Sequence, residues 1–158
     1  MIDEAEGSET MLNKLNELQP TENSRLQKAH QQVTGLIAAL DKREVPQDIA
    51  EEINITIANL NALTGDEKQF ARALNQAYQH ILKLVQEKLN WVPKDFYRNQ
   101  WMALGLSVFG LPMGVALGIA LDNMAFMAAF FPLGMIMGMG VGSGMDKKAE
   151  EEGRVLDI

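Results

Sequence analysis

The chain contains no cysteine, so no disulfide can staple it and no thiolate can hold a metal. Histidine is nearly as scarce: His30 and His80 are the only two, and neither stands in a HExxH or similar ligand pattern. A GxSxG nucleophile turn and a phosphate-cradling glycine loop are missing as well. The adjacent carboxylates Glu51 and Glu52 would project ~100° apart on a helix, so they do not converge on a substrate. With no constellation for catalysis, the sequence predicts a non-enzymatic chain that needs neither cofactor nor metal.

Clustered positive charge is the next absence. There are 14 Lys and Arg against 21 Asp and Glu, and the basic residues gather only in pairs such as Lys42-Arg43 and Lys147-Lys148. Binding a phosphate backbone needs denser basic patches, which argues against a nucleic-acid partner. The first twenty residues, MIDEAEGSETMLNKLNELQP, are acidic and lack the apolar core of a signal peptide.

Charge of either sign then disappears altogether from one stretch. Between Met102 and Met145 the only ionisable residue is Asp122, and eight of the ten methionines and most of the glycines lie beyond residue 100. Two regions adapted to two solvents account for this division. The sequence therefore predicts an all-α protein in which a soluble, cytoplasmic three- to four-helix bundle (1–90, with 1–20 partly disordered) precedes a two-helix transmembrane hairpin (101–145). Between them lies an interfacial elbow (91–100), and a cytoplasmic tail (146–158) follows.

In the bundle, Leu12, Leu15 and Leu18 suggest a short helix from Glu9 to Gln19, ended by Pro20 and marginal on its own. A second helix is expected from Thr21, a plausible N-cap, with Leu26, Ala29, Val33, Leu36, Ile37 and Leu40 on its apolar face. Gly35 is that helix's one unfavourable residue. A third begins near Pro46 with Ile49, Ile53, Ile57 and Leu60 inward, and Gly65 ends it. Asp66 then caps a fourth, with Phe70, Leu74, Ala77, Ile81, Leu84, Val85 and Leu89 inward. Short connections make neighbouring helices antiparallel.

The apolar region divides into two runs, 101–121 and 124–145. At ~1.5 Å per residue the first covers ~31 Å, close to the ~30 Å hydrocarbon core of a bilayer. A lone Asp within a span would cost ~3 kcal/mol, so Asp122-Asn123 marks the turn, with Asn123 able to cap the second run. A soluble fold hiding two all-round apolar helices would need a shell of many others, and too few are available. Lys94 and Arg98 precede the first run, and Lys147 and Lys148 follow the second. The turn carries no Lys or Arg, so both termini are expected in the cytoplasm, by default across a bacterial inner membrane. Trp91, Phe96, Tyr97 and Trp101 suit the headgroup region.

Gly110, Gly114 and Gly118 are spaced by four, and so are Gly134, Gly138 and Gly142. Such spacing lets helix backbones approach closely, which drives association in lipid. Pro112 and Pro132 lie at nearly equal depth from the turn and are expected to kink their helices together. Gly140 and Gly144 on the second run, like Ala116 and Ala120 on the first, form a further small-residue face. One face suffices for a hairpin, so a second predicts a homo-oligomer. The run Met135, Met137, Met139 could in principle offer thioethers to Cu(I), but Met137 points away from the other two and packing is the better reading.

Through FGLPMGVALGIAL and PLGMIMGMGVGSG the sequence resembles the broad class of glycine-zipper membrane proteins. That class includes channels, toxins and plain anchors, so the resemblance implies a packing mode and no particular activity. The expected function is a small integral membrane protein, embedded in a lipid bilayer, that oligomerises through its hairpins and presents the bundle to a cytoplasmic protein partner. The alternative is an oligomeric pore. A pore would have to conduct past backbone, glycine and two serines, Ser107 and Ser143.

Overall fold

The computed structural model describes residues 11–18, 21–63 and 65–158. It is all-α in class, and two long apolar helices make up its C-terminal part. The chain divides into two compact units, one up to Asn90 and the other Trp91–Asp157.

The first unit contains α1 (Ser24–Asp41), α2 (Gln47–Ala62) and α3 (Glu67–Leu89), with α3 packed against both of the others. Helix α1 does not start at Thr21. Asn23 is its N-cap, and its Oδ1 accepts from the Arg25 and Leu26 N–H groups at 3.2 and 3.3 Å. Asparagine outranks threonine at this position because its amide oxygen reaches both orphan donors of the first turn. The Thr21 hydroxyl instead donates to Glu67 at 2.8 Å, and Asn23 donates to the same carboxylate at 3.2 Å. These two bonds, Thr21 first, hold the Glu67 carboxyl below its ordinary range.

The apolar stripes become the core as the periodicity requires. Leu36, Leu40, Ile53, Ile57, Leu74 and Ile81 are fully buried, and no polar residue is buried among the described residues. Each such side chain contributes ~1.5–3 kcal/mol on leaving water. Phe70 and Leu89, at the two ends of α3, are only half-buried.

The helix expected over Glu9–Gln19 is absent from its described part. Residues 11–18 form an irregular strap, while residues 1–10, 19 and 20 lie outside the described residues. The physical reason is local competition. So short a helix is marginal, and the strap's main chain finds better partners on α1 and α2. Asn54 accepts from the Asn13 N–H at 2.6 Å and donates to the Met11 carbonyl at 2.9 Å. Asn61 repeats the pattern with the Asn16 N–H at 2.9 Å and the Lys14 carbonyl at 3.0 Å. Of the strap's leucines, Leu12 is buried, and Leu15 and Leu18 are half-buried.

The second unit begins with a two-residue strand β1 (Val92–Pro93). It continues through α4 (Phe96–Leu104), a π-helical turn (Gly105–Gly110) and α5 (Leu111–Ala120), which together form one continuous apolar helix. Asp122 adopts the left-handed conformation, with φ 48°. The Asn123 N–H reaches back to the Gly118 carbonyl at 2.9 Å, and the Asp122 N–H to Ile119 at 3.3 Å. This is a Schellman-type stop, which Asp tolerates better than most non-glycine residues. Helix α6 (Ala125–Glu151) follows, aided by Asn123 Oδ1 accepting from the Ala125 N–H at 3.0 Å. A second short strand, β2 (Val155–Leu156), then pairs in parallel with β1.

Helical structure reaches into both regions that flank the two runs. The elbow expected over 91–100 is already helical from Phe96, and the tail expected from 146 remains helical to Glu151. Both changes lengthen the apolar helices at the end where polar groups can cap them.

Candidate functional site: the glycine-packed face and its polar clasp

The two apolar helices pack antiparallel along a face made almost wholly of glycine. The buried positions of the second unit are Gly105, Gly110, Gly114, Gly118, Gly134, Gly138 and Gly142, together with Val92, Ala149 and Leu156. Gly114 lies against Met127 and Phe130, and Gly118 against Met124. Gly110 and Gly134 face each other: a Cβ built on Gly134 would stand 2.6 Å from the Gly110 Cα. Nearer the termini the fit is tighter still. A Cβ on Gly138 would fall on the Trp101 carbonyl, and one on Gly142 would sit 2.5 Å from the Arg98 Cα. Only hydrogen fits at these levels.

Gly105 belongs to the same face, although it lies five residues before Gly110 and so breaks the spacing of four. A Cβ there would overlap the Gly134 carbonyl. The π-helical turn over Gly105–Gly110 explains the exception. An i→i+5 turn brings residues five apart into line, as an α-turn does for residues four apart. The wide turn ends just before Pro112, which has no N–H to donate and would crowd the carbonyl of a regular preceding turn. Ser107, inside the turn, donates its hydroxyl to the Ala103 carbonyl at 2.9 Å. Pro132 sits within the 27-residue helix α6 with no such turn beside it.

Gly140 and Gly144 lie elsewhere: a Cβ on either would meet nothing within 4 Å. Beside Gly140 a groove of ≈ 630 Å3 opens between the helices, lined by Trp101, Val108, Phe109 and Met137 among others.

The open end of the helix pair is closed by polar groups. Asp146 accepts from the Tyr97 N–H at 2.9 Å and from the Arg98 N–H at 2.8 Å. It thereby caps α4 from across the interface, since Asp95 at the N-cap is left-handed and makes no side-chain cap bond. Arg98 itself pairs with Asp95 at 3.3 Å. Further along, the Val92 N–H donates to the Arg154 carbonyl at 2.9 Å within the β1–β2 pair. The Arg154 guanidinium is bonded to Glu152 and to the Tyr97 hydroxyl, both of which stabilise its charged form. Phe96 and Tyr97 meet edge to face, with centroids 5.2 Å apart. Trp91 and Trp101 are half-buried nearby in sequence, and the exposed Lys147 and Lys148 pair with Glu151 and Glu152 at 4.0 and 3.9 Å.

The structure thus brings six of the eight predicted glycines onto one face and leaves Gly140 and Gly144 off it. Sequence reasoning missed Gly105, Asp146 and Arg154. Asp146 had a readable signal, because it extends the Gly134, Gly138, Gly142 series by one more step of four. Gly105 had none without knowledge of the π-turn.

In the bundle, His30 Nε2 lies 2.9 Å from the Asn16 carbonyl, and His80 stands 3.7 Å from Glu52 on the surface. Among the described residues no three His, Asp or Glu side chains gather as a metal site would require. No protein-family model matches this sequence, and no curated protein or solved structure shows significant similarity to it.

Proposed function

We propose that this chain is a small integral membrane protein whose helices 96–120 and 125–151 cross the bilayer as a hairpin. The hairpins homo-oligomerise and hold the bundle at the membrane surface as a non-enzymatic interaction module for a cytoplasmic protein. The observation that carries this reading is the inverted packing of the apolar pair. Its interface buries glycine, while Val108, Ile119, Ile136 and Met137 are 56%, 67%, 62% and 62% exposed. Water would penalise that arrangement heavily, whereas lipid tails solvate such side chains as well as a protein core does.

Trp91, Phe96, Tyr97 and Trp101 fit the headgroup zone, and Lys94, Arg98, Lys147 and Lys148 fit the cytoplasmic side of a bacterial inner membrane. The open faces at Gly140 and Gly144 and at the exposed Ala116 and Ala120 support contacts between copies.

Because the chain has no native cysteine, single-cysteine variants report topology directly. A cysteine at Asn123 should react with an impermeant maleimide from the periplasm, and one at Lys28 only after lysis. Labelling of both from the same side in intact cells would refute the hairpin. Purified protein in nanodiscs should run as an oligomer. In liposomes it should pass no ions, and robust flux would instead favour a pore.

A further inference from the structure

The strap over residues 11–18 is held to the helices through its main chain, which bonds to Asn54 and Asn61 of α2 and to His30 and Asp41 of α1. Asn54 takes the Asn13 N–H and the Met11 carbonyl, and Asn61 takes the Asn16 N–H and the Lys14 carbonyl. The Leu12 N–H bonds to Asp41, and His30 meets the Asn16 carbonyl. A primary amide that donates and accepts toward one chain does what a neighbouring β-strand does. The spacing is matched as well. Asn54 and Asn61 are seven residues apart on α2, about 10.5 Å along its axis, and three residues of extended chain span about 10 Å.

Such a surface reads an extended main chain and is indifferent to the polar side chains it carries. Its side-chain preference comes from the apolar contacts beneath, where Leu12 is buried and Leu15 and Leu18 are half-buried at a repeat of three. Apart from Leu12 little of the strap is enclosed, and the four asparagine bonds are solvent-accessible.

We propose that the α1–α2 seam bearing His30, Asn54 and Asn61 is a docking site for an extended, leucine-bearing segment of a protein partner, with residues 11–18 as its built-in competitor. This rests on the reading of the bundle as an interaction module and names what it binds. The competitor is covalently attached, so a free segment faces a high effective concentration of it and binds only in proportion to the fraction of sites left open.

The test uses the full chain in nanodiscs and a fluorescein-labelled peptide of residues 8–18, SETMLNKLNEL, followed by anisotropy. Wild type should bind it weakly. Leu12→Ser, which loosens the attached strap, should bind it at least tenfold tighter. Adding Asn54→Ala and Asn61→Ala to that variant should remove the gain. A peptide N-methylated at its Asn13 and Asn16 amides should lose at least tenfold on wild type and on Leu12→Ser, and should lose nothing further on the form that lacks Asn54 and Asn61. Leu12→Ser that keeps its helical circular dichroism yet binds no tighter than wild type would overturn the proposal, as would undiminished binding of the N-methylated peptide to either form. Should Leu12→Ser unfold, wild type at millimolar peptide gives the same comparison between plain and N-methylated probes.

Native mass spectrometry of Leu12→Ser adds a further arm. Dimers that the peptide dissociates would identify a second copy's strap as the occupant and overturn the partner assignment. A partner captured equally by wild type and by the Asn54→Ala/Asn61→Ala chain would remove the seam as its docking site while leaving the interaction module standing. Peptide binding with no partner found would support the seam and count against the module.

Discussion

The two units are packed by opposite rules. In the bundle the largest aliphatic side chains, among them Leu36, Ile53 and Ile81, are fully buried and the polar residues lie outside. In the apolar pair the smallest residues are inside, and large ones such as Phe109, Ile119 and Ile136 face out. Water rewards removal of apolar area, so bulk goes to the centre of the bundle. In the membrane setting proposed above, lipid offers no such reward, and what remains is close van der Waals contact between backbones, which glycine permits best. One chain therefore uses glycine as a weakness in one unit and as the interface itself in the other.

The sharpest way to break this contrast is at Gly138. Any side chain there collides with the main-chain carbonyl of Trp101, which cannot rotate aside. Overpacking against movable side chains already costs ~1–3 kcal/mol, so Gly138→Leu should cost more and separate the helices. Gly140→Leu is the matched control, since its Cβ meets nothing within 4 Å. With fluorophores on cysteines at Lys94 and Lys147, energy transfer within one chain should fall sharply for Gly138→Leu and hold for Gly140→Leu. Gly140→Leu should weaken only the proposed association between copies. Equal transfer in both would mean that the glycine face does not set the packing.

A smaller effect is expected at the clasp. Asp146→Ala removes a cap that accepts two N–H groups of α4 from another helix, a loss worth ~1–2 kcal/mol. The terminal turn of α4 should fray while the glycine face further along stays closed. Hydrogen exchange at the Tyr97 and Arg98 amides should rise several-fold, with little change beyond the π-turn. Exchange that rises along the whole of α4 and α5 would instead make the clasp the element that holds the pair together.

Much of this was legible in the sequence because hydrophobic periodicity is a direct record of burial. The stripes Leu26–Leu40, Ile49–Leu60 and Leu74–Val85 are buried where the spacing puts them. The spacing-of-four glycines likewise lie on one face. Failures came where one pattern admits two conformations. Leucines at 12, 15 and 18 suit a helix edge, and they suit equally an extended strap that repeats every three residues. The partners that decide between them, Asn54 and Asn61, lie some forty residues away and look like ordinary surface amides. The π-turn was hidden for a related reason: a step of five between Gly105 and Gly110 reads as a loss of register unless the helix itself widens. The β1–β2 pair and Arg154 had no signal, since two-residue strands are fixed by tertiary contact alone.

The gentlest test returns to glycine, now in the bundle. Gly35 lies in the interior of α1, is exposed, and has open space around its missing Cβ. No contact requires it, so its effect is entropic: the unfolded chain is freer at glycine, and folding loses more there than at alanine. Gly35→Ala should therefore stabilise the first unit by ~0.5–1 kcal/mol, a rise of a few degrees in Tm for a domain of this size. Thermal unfolding of the full chain in detergent, followed by circular dichroism, would show it as an upward shift of the bundle's transition. The same substitution at Gly138 should move the other unit in the opposite direction, because there even a methyl group meets backbone. If Gly35→Ala destabilises, α1 must carry a contact on that exposed side, and the bundle would no longer be the unit in which glycine is merely a weakness.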